Sequence, residues 1–95
     1  MTTNKTTTRC LVLGLLHITR NAANDLVPED VGEALRRHRT HDWGLVAPED
    51  HAANDRAVVE GTRVMSVYRD RRGTKFWIIS EADRSATTIM TPEDY

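Results

Sequence analysis

The residues best suited to bind an anion lie in one short polar turn near the end of the chain. Asp83, Arg84 and Ser85 are consecutive. Thr87 and Thr88 follow them in a run of β-branched residues. A guanidinium, hydroxyls and turn amides are together the donors that phosphate binding needs. The alternative is a solvated hairpin turn in which Asp83 accepts hydrogen bonds from its own backbone and Arg84 is an exposed cap, and both interpretations stay open.

Three histidines and one aspartate form a second group, around the end of a predicted helix. Its members are His38, His41, Asp42 and His51. The spacing of His38 and His41 could place two imidazoles on one side of a metal ion. Histidines at a helix terminus more often lie in solvent, and we favour that interpretation. We therefore predict no metal site and no cofactor.

A metal-free ribonuclease is a third chemistry that the residue types would allow. It requires a carboxylate base, a histidine acid and a cation for the phosphate. The residues of these types are Glu81, His38 or His41, and Arg63 or Arg84. Such residues occur in nearly any domain of this size, so we assign no catalytic residue and treat an enzyme as the alternative.

The composition is that of a small globular chain. Its 95 residues leave room for one core, and 39% apolar with 28% charged residues is a normal balance. A net charge of −1 argues against both a strongly basic nucleic-acid coat protein and an acidic DNA mimic. Cys10 is the sole cysteine, so no intrachain disulfide is expected and a reducing, cytoplasmic setting is predicted. The longest apolar run is too short to span a bilayer.

The start of the chain is predicted to hold an arm, a strand and a short helix. Residues 1–9 are polar and rich in Thr, which predicts a flexible arm, and a single α+β domain would span residues 10–95. The apolar run from Cys10 to Ile18 predicts a strand covered on both faces. Thr19 is a good N-cap for a helix from Arg20 to Leu26.

Two longer helices follow, and they share a start signal. Pro28 and Pro48 are each followed by Glu and Asp, which suit the first turn and the positive end of the helix dipole. The first helix is predicted to run to about Arg39 and the second to Glu60, where Gly61 is a natural left-handed stop. The small apolar residues of the second helix would let it lie flat on a sheet or against a second subunit.

The last third of the chain alternates apolar and polar residues, as β-strands do. Strands are predicted at Arg63 to Arg69, Lys75 to Glu81 and Ala86 to Met90, joined by turns at residues 70–73 and 82–85. The predicted fold is therefore α+β, with an N-terminal strand and two to three helices packed on a C-terminal three-stranded antiparallel β-meander.

Partner surfaces are predicted from one tryptophan and from the charge pattern. Trp43, in a loop between helices, either plugs the core or anchors a partner, and we favour the core. Basic residues lie at a helix end and at a hairpin tip, and residues 92–95 carry the opposite sign. This mixture of charges favours a protein partner over a nucleic acid. Small domains also gain stability from association, so a protein partner or a homodimer is expected.

Several stretches resemble small proteins carried on plasmids and integrated elements of proteobacteria. They are residues 37–38, 42–44, 53–55, 61–63 with Ser66 and Tyr68, 77–88 and 92–95. Such proteins are usually labelled plasmid-related or as a subunit of a type I restriction system, although 95 residues cannot hold a methyltransferase fold. The resemblance implies a mobile-element setting, and its pattern adds Arg63 and Tyr68 to the candidate binding residues.

The sequence thus gives one leading hypothesis for function and two alternatives. The leading one is a non-catalytic accessory protein of a mobile element that binds and modulates a host or defence complex, for example an anti-CRISPR or another immune inhibitor. The alternatives are a small metal-free ribonuclease or toxin, and a nucleotide- or anion-binding protein that uses the turn at Asp83, Arg84 and Ser85.

Overall fold

A mixed four-stranded sheet and three helices make up residues 10–95, the residues that the computed structural model describes. The predicted arm, residues 1–9, lies outside this range. In chain order the elements are β1 (Leu15–Ile18), α1 (Arg20–Asp25), α2 (Pro28–Arg39), α3 (Pro48–Glu60), β2 (Val64–Arg69), β3 (Lys75–Ser80), β4 (Ala86–Met90) and a 3-10 turn (Pro92–Asp94). None of the helices in the described range is long and apolar enough to cross a membrane.

The helices begin and end where local signals place them. The side chain of Thr19 accepts a hydrogen bond from the amide of Ala22 at 3.2 Å and caps α1. Pro28 and Pro48 are the first residues of α2 and α3, as predicted. Gly61 ends α3 in the left-handed conformation, with a φ of 74°.

The order of strands in the sheet is β1-β4-β3-β2. Strands β2, β3 and β4 are antiparallel neighbours and form the predicted meander. Strand β1 joins them by pairing in parallel with β4, with Leu15 opposite Ala86 and Ile18 opposite Ile89. The α+β class and the meander are therefore confirmed, and the N-terminal strand is a member of the same sheet.

One face of the sheet carries most of the core. On β2, Val64, Ser66 and Tyr68 are buried, whereas Met65 and Val67 on the other face are half-buried, as alternation predicts. The main apolar cluster joins the buried face to α1 and α2 through Ala22, Leu26, Val31, Ala34, Tyr68, Phe76, Ile78 and Ile89. A second cluster holds the loop before α3 in place through Leu11, Trp43, Ala57 and Val64.

The turn between β2 and β3 is organised by the carboxylate of Asp70. One oxygen accepts hydrogen bonds from the amides of Arg72 and Thr74, both at 3.0 Å, and the other accepts one from Val27 at 3.1 Å. Burial alone would raise the pKa of Asp70, but these amides outweigh it and hold that pKa below its ordinary value. The turn is thereby fixed against the start of α2.

The prediction for β1 was wrong in two respects. The strand begins at Leu15 rather than Cys10, because Gly14 has a φ of +67° and breaks the extended run. A side chain at Gly14 would also collide with the carbonyl of Ser85. In addition, β1 is an edge strand whose four residues are all exposed, so the chain itself does not cover it on both faces within residues 10–95.

Candidate functional site

The predicted anion-binding turn is held together by contacts within the protein. The carboxylate of Asp83 accepts a hydrogen bond from the amide of Ser85 at 3.0 Å. Hydrogen bonds from the side chain and the amide of Ser85 hold the pKa of Asp83 below its ordinary value. The guanidinium of Arg84 donates to the carbonyls of Thr62 at 2.7 Å and Ala57 at 3.0 Å. Arg84 thus places a cation at the carboxyl end of α3, where it suits the helix dipole.

Replacing Arg84 by alanine is therefore expected to lower the free energy of unfolding by about 1–2 kcal/mol, because carbonyls at the end of α3 lose a charged donor. Denaturant unfolding followed by circular dichroism measures the change. Arg39, an exposed residue at the end of α2, is the matched control, and Arg39→Ala should change stability by less than about 0.5 kcal/mol. Equal effects of the two substitutions would contradict a capping role for Arg84.

His38, expected in solvent, lies instead at the centre of a buried polar network, and its side chain is 0% exposed. Its Nδ1 atom is 2.6 Å from the hydroxyl of Ser66, and its Nε2 atom is 2.9 Å from that of Ser80. The Ser80 hydroxyl lies 2.7 Å from the hydroxyl of Thr87, which donates to the carbonyl of Leu13 at 2.7 Å. The network joins α2 to β2, β3, β4 and the segment before β1.

The directions of the hydrogen bonds between Thr87 and Nε2 of His38 follow from the last member of the network. Thr87 gives its single hydroxyl hydrogen to the carbonyl of Leu13, so it accepts from Ser80. Ser80 in turn accepts from Nε2–H of His38. Burial lowers the pKa of His38 to about 4, so the ring is neutral near pH 7 and its Nδ1 atom accepts from Ser66.

Trp43 and Tyr68 are both buried and both satisfied by hydrogen bonds. The ring of Trp43 lies in the core, as predicted, and its Nε1–H donates to the carboxylate of Asp55 at 2.9 Å. The hydroxyl of Tyr68 donates to the carbonyl of Asp42 at 2.7 Å. Burial raises the pKa of Tyr68 to about 12. In this arrangement the two aromatic side chains stabilise the loop that precedes α3 and present no free surface.

Arg63 lines a surface cleft of about 290 Å³ between α3 and β2, and the other candidate residues do not line it. Its guanidinium donates to the hydroxyl of Tyr95 at 3.2 Å and lies 5.7 Å from the centroid of that ring. Asp50 and Asn54 also line the cleft. Thr88, on the half-buried face of β4, is separate from it. The predicted binding residues therefore do not converge on one pocket.

The histidine group is divided in the structure. The ring of His41 stacks on Trp43, with centroids 5.4 Å apart and planes inclined by 12°. His38 meets the same Trp43 edge-on at 5.6 Å and belongs to the buried network. No cluster of three or more His, Cys, Asp or Glu within residues 10–95 is arranged to hold a metal ion.

The outer edge of β1, the side of its backbone that faces away from β4, pairs with no other strand in residues 10–95. Leu15 is 70%, Leu16 55% and Ile18 49% exposed, and Val12 just before the strand is 65% exposed. Within the described residues β4 is the one strand that pairs with β1. The signal in the sequence was a run that is apolar on both faces, and such a run needs cover from somewhere.

The opposite edge of the sheet, on β2, is protected. The side-chain amide of Asn54 donates to the carbonyl of Met65 at 2.8 Å and accepts from its amide at 3.3 Å. The amide of Val67 donates to the carbonyl of Trp43 at 3.1 Å, and its carbonyl accepts from Leu45 at 2.7 Å. Coverage of this kind is how soluble proteins keep a sheet edge from pairing with other chains.

No family model, curated protein or solved structure matches this chain. The resemblance to mobile-element proteins therefore stays a prediction. The contrast between the two edges of the sheet is the feature from which function is argued.

Proposed function

We propose that this protein is a non-catalytic binding module that docks a protein partner by strand addition to the outer edge of β1. The observation that supports the proposal is that all four residues of β1 are exposed while the opposite edge is covered. An exposed apolar edge favours pairing with another chain. Natural proteins protect such an edge unless they use it to bind a partner.

The backbone of β1 offers a strand partner a regular set of groups. The amides of Leu15 and Thr19 donate inward, to the carbonyls of Ser85 and Ile89, both at 3.0 Å. Because backbone groups alternate along a strand, the N–H and C=O groups of Leu16 and Ile18 point outward. In strand addition these main-chain groups supply affinity, and the alternating side chains supply specificity.

The class of partner follows from the resemblance to mobile-element proteins. Under that resemblance the partner is a component of a host or defence complex, which the small protein would bind and modulate. A chain of 95 residues can act in this way because strand addition requires a single exposed strand and no enclosed pocket.

Affinity capture tests this proposal. Tagged protein is incubated with an extract of a proteobacterium that carries such an element, and the retained proteins are quantified by mass spectrometry. We expect at least one protein to be retained by the wild type and lost with Leu16→Lys, because a buried lysine would destabilise the paired strand. The control is Leu45→Lys, an equally exposed leucine at 59%, away from β1. Identical retention by all three proteins would overturn the proposal.

The two alternative functions receive less support from the geometry. A ribonuclease would need His38 or His41 at a substrate. The ring of His38 is fully enclosed with both nitrogens engaged, and the ring of His41 is stacked on Trp43 with its Nε2 atom buried. An anion site at the turn would need Arg84 to give up its hydrogen bonds to Thr62 and Ala57. The edge of β1 needs no such rearrangement.

A further inference from the structure

We infer that a second copy of this chain occupies the outer edge of β1, in an antiparallel pairing related by a two-fold axis through His17. This inference rests on the proposed function, since it names an occupant of the same docking strand. Two copies would cover each other's edges until a partner strand of higher affinity displaces one of them.

The backbone of β1 is complementary to itself in this register. With His17 of one copy opposite His17 of the other, Leu16 lies opposite Ile18 of the second copy, and the reverse. The outward groups belong to Leu16 and Ile18, so both opposite pairs are of the type that exchanges two N–H···O bonds. His17, whose backbone groups point toward β4, falls at the centre as the pair without hydrogen bonds.

The side chains also match in this register. Leu16 and Ile18 are in register with Thr87 and Ile89 of β4, whose side chains lie on the helix-covered face of the sheet. Pairing sets Leu16 beside Ile18 of the other copy, so two half-exposed aliphatic side chains become cross-strand neighbours, a favourable contact on a β-sheet. The strand Leu15–Ile18 contains no Asp, Glu, Lys or Arg.

Assembly would stop at two copies. A sheet that can pair at both edges grows into a filament, whereas a two-fold contact at one edge closes on itself. The other edge is blocked here, because Asn54 bonds the backbone of Met65 and the loop at Trp43 and Leu45 bonds that of Val67. The result would be one continuous sheet built from both copies.

The expected affinity is low. Specific, stable interfaces bury about 1,200–2,000 Å² in total. Such interfaces use about 20–30 residues from each side, whereas this pairing uses the four residues of β1 with Val12 beside them. We therefore expect a concentration-dependent dimer with a dissociation constant of about 1 µM to 1 mM rather than an obligate one.

Disulfide trapping tests the register. In a Cys10→Ser background, His17→Cys places two thiols across the axis at a Cα separation of about 4.5 Å, within the range that a disulfide needs. Leu15→Cys is the matched control on the same strand and face. Its two copies would be separated by roughly 14 Å at about 3.4 Å per residue, too far to bridge. Oxidation should give a covalent dimer of the first variant and at least about tenfold less of the second; equal yields would overturn the register.

Sedimentation equilibrium of the wild-type protein tests the dimer itself, over roughly 10 µM to 1 mM, where weak association is measurable. We expect the weight-average mass to rise toward twice that of the chain, and Leu16→Lys to remain monomeric. A monomer at every concentration would overturn the second copy as occupant. If the protein is monomeric but Leu16→Lys fails to retain a protein that the wild type captures from the extract, the docking strand stands without the dimer. If Leu16→Lys retains every protein that the wild type captures, both proposals fail.

Discussion

Lowering the pH from about 7 to about 4 is expected to reduce the free energy of unfolding by about 3 kcal/mol through His38 alone. Burial, helped by the charges of Arg84 and His41, lowers the pKa of His38 from 6.5 to about 4 in the folded protein. Between these two values the unfolded chain binds a proton that the folded chain does not. The contribution of His38 to the free energy of unfolding is therefore complete above pH 6.5 and is lost as the pH falls toward about 4.

Urea unfolding at a series of pH values measures this loss, and His38→Gln is the control. Glutamine can donate and accept hydrogen bonds in the same core but does not titrate, so the variant should show a much smaller slope between pH 6.5 and about 4. Carboxylates with lowered pKa values, such as Asp30 and Asp70, act in a separate window below their ordinary value of 3.8. An unchanged slope in His38→Gln would contradict the buried neutral ring.

Replacing Thr87 by valine is expected to lower the free energy of unfolding by about 1–3 kcal/mol, although the two side chains have nearly the same shape. The hydroxyl of Thr87 connects Ser80 to the carbonyl of Leu13, so the substitution removes the acceptor of the buried Ser80 hydroxyl hydrogen and the donor to the Leu13 carbonyl. Because Leu13 directly precedes Gly14 and β1, the docking strand should also become less firmly held. Chemical denaturation measures the first effect, and amide exchange along β1 measures the second.

Thr88→Val is the matched control for that substitution. Thr88 is the next residue of the same strand, but its side chain lies on the half-buried opposite face, outside the network. Valine suits a strand at least as well as threonine, so this variant should differ from wild type by less than about 0.5 kcal/mol. Equal destabilisation by the two substitutions would show that the hydroxyl of Thr87 carries no particular role.

Local signals in the sequence predicted most of the fold. Pro28 and Pro48, each followed by acidic residues, marked the starts of α2 and α3, and Gly61 marked a helix end. Alternation predicted the strand β2, in which Ser66 and Tyr68 lie on the buried face. These features depend on neighbours within a few positions along the chain, so a single sequence contains them.

The contacts that define the candidate site depend on distant residues, and the sequence could not supply them. Ser66 and Ser80, which hydrogen-bond to the buried ring of His38, lie 28 and 42 positions away from it. Arg84 looked like an anion ligand because its carbonyl acceptors, Ala57 and Thr62, belong to a helix end 27 and 22 positions earlier. Only the packing of the helices on the sheet brings these groups together.

The strand β1 was misplaced for a different reason. A run that is apolar on both faces does indicate cover on both faces, but the sequence does not say whether the cover belongs to the same molecule. Within residues 10–95 it does not, since all of Leu15–Ile18 is exposed. The resemblance to mobile-element proteins gave a setting for a partner but did not indicate this strand as its docking site.

Hydrogen exchange at the amides of Leu16 and Ile18 tests the central claim, that the outer edge of β1 docks a protein strand, most directly. The protein captured by the wild type and lost with Leu16→Lys is added to the chain at a concentration at which the chain alone is monomeric by sedimentation, and exchange at single amides is followed by mass spectrometry. Exchange at these two amides should slow by about tenfold or more, because the new hydrogen bonds must open first, while the exposed amide of Ala82 is unchanged. Binding that leaves the Leu16 and Ile18 amides exchanging as fast as before would contradict the claim.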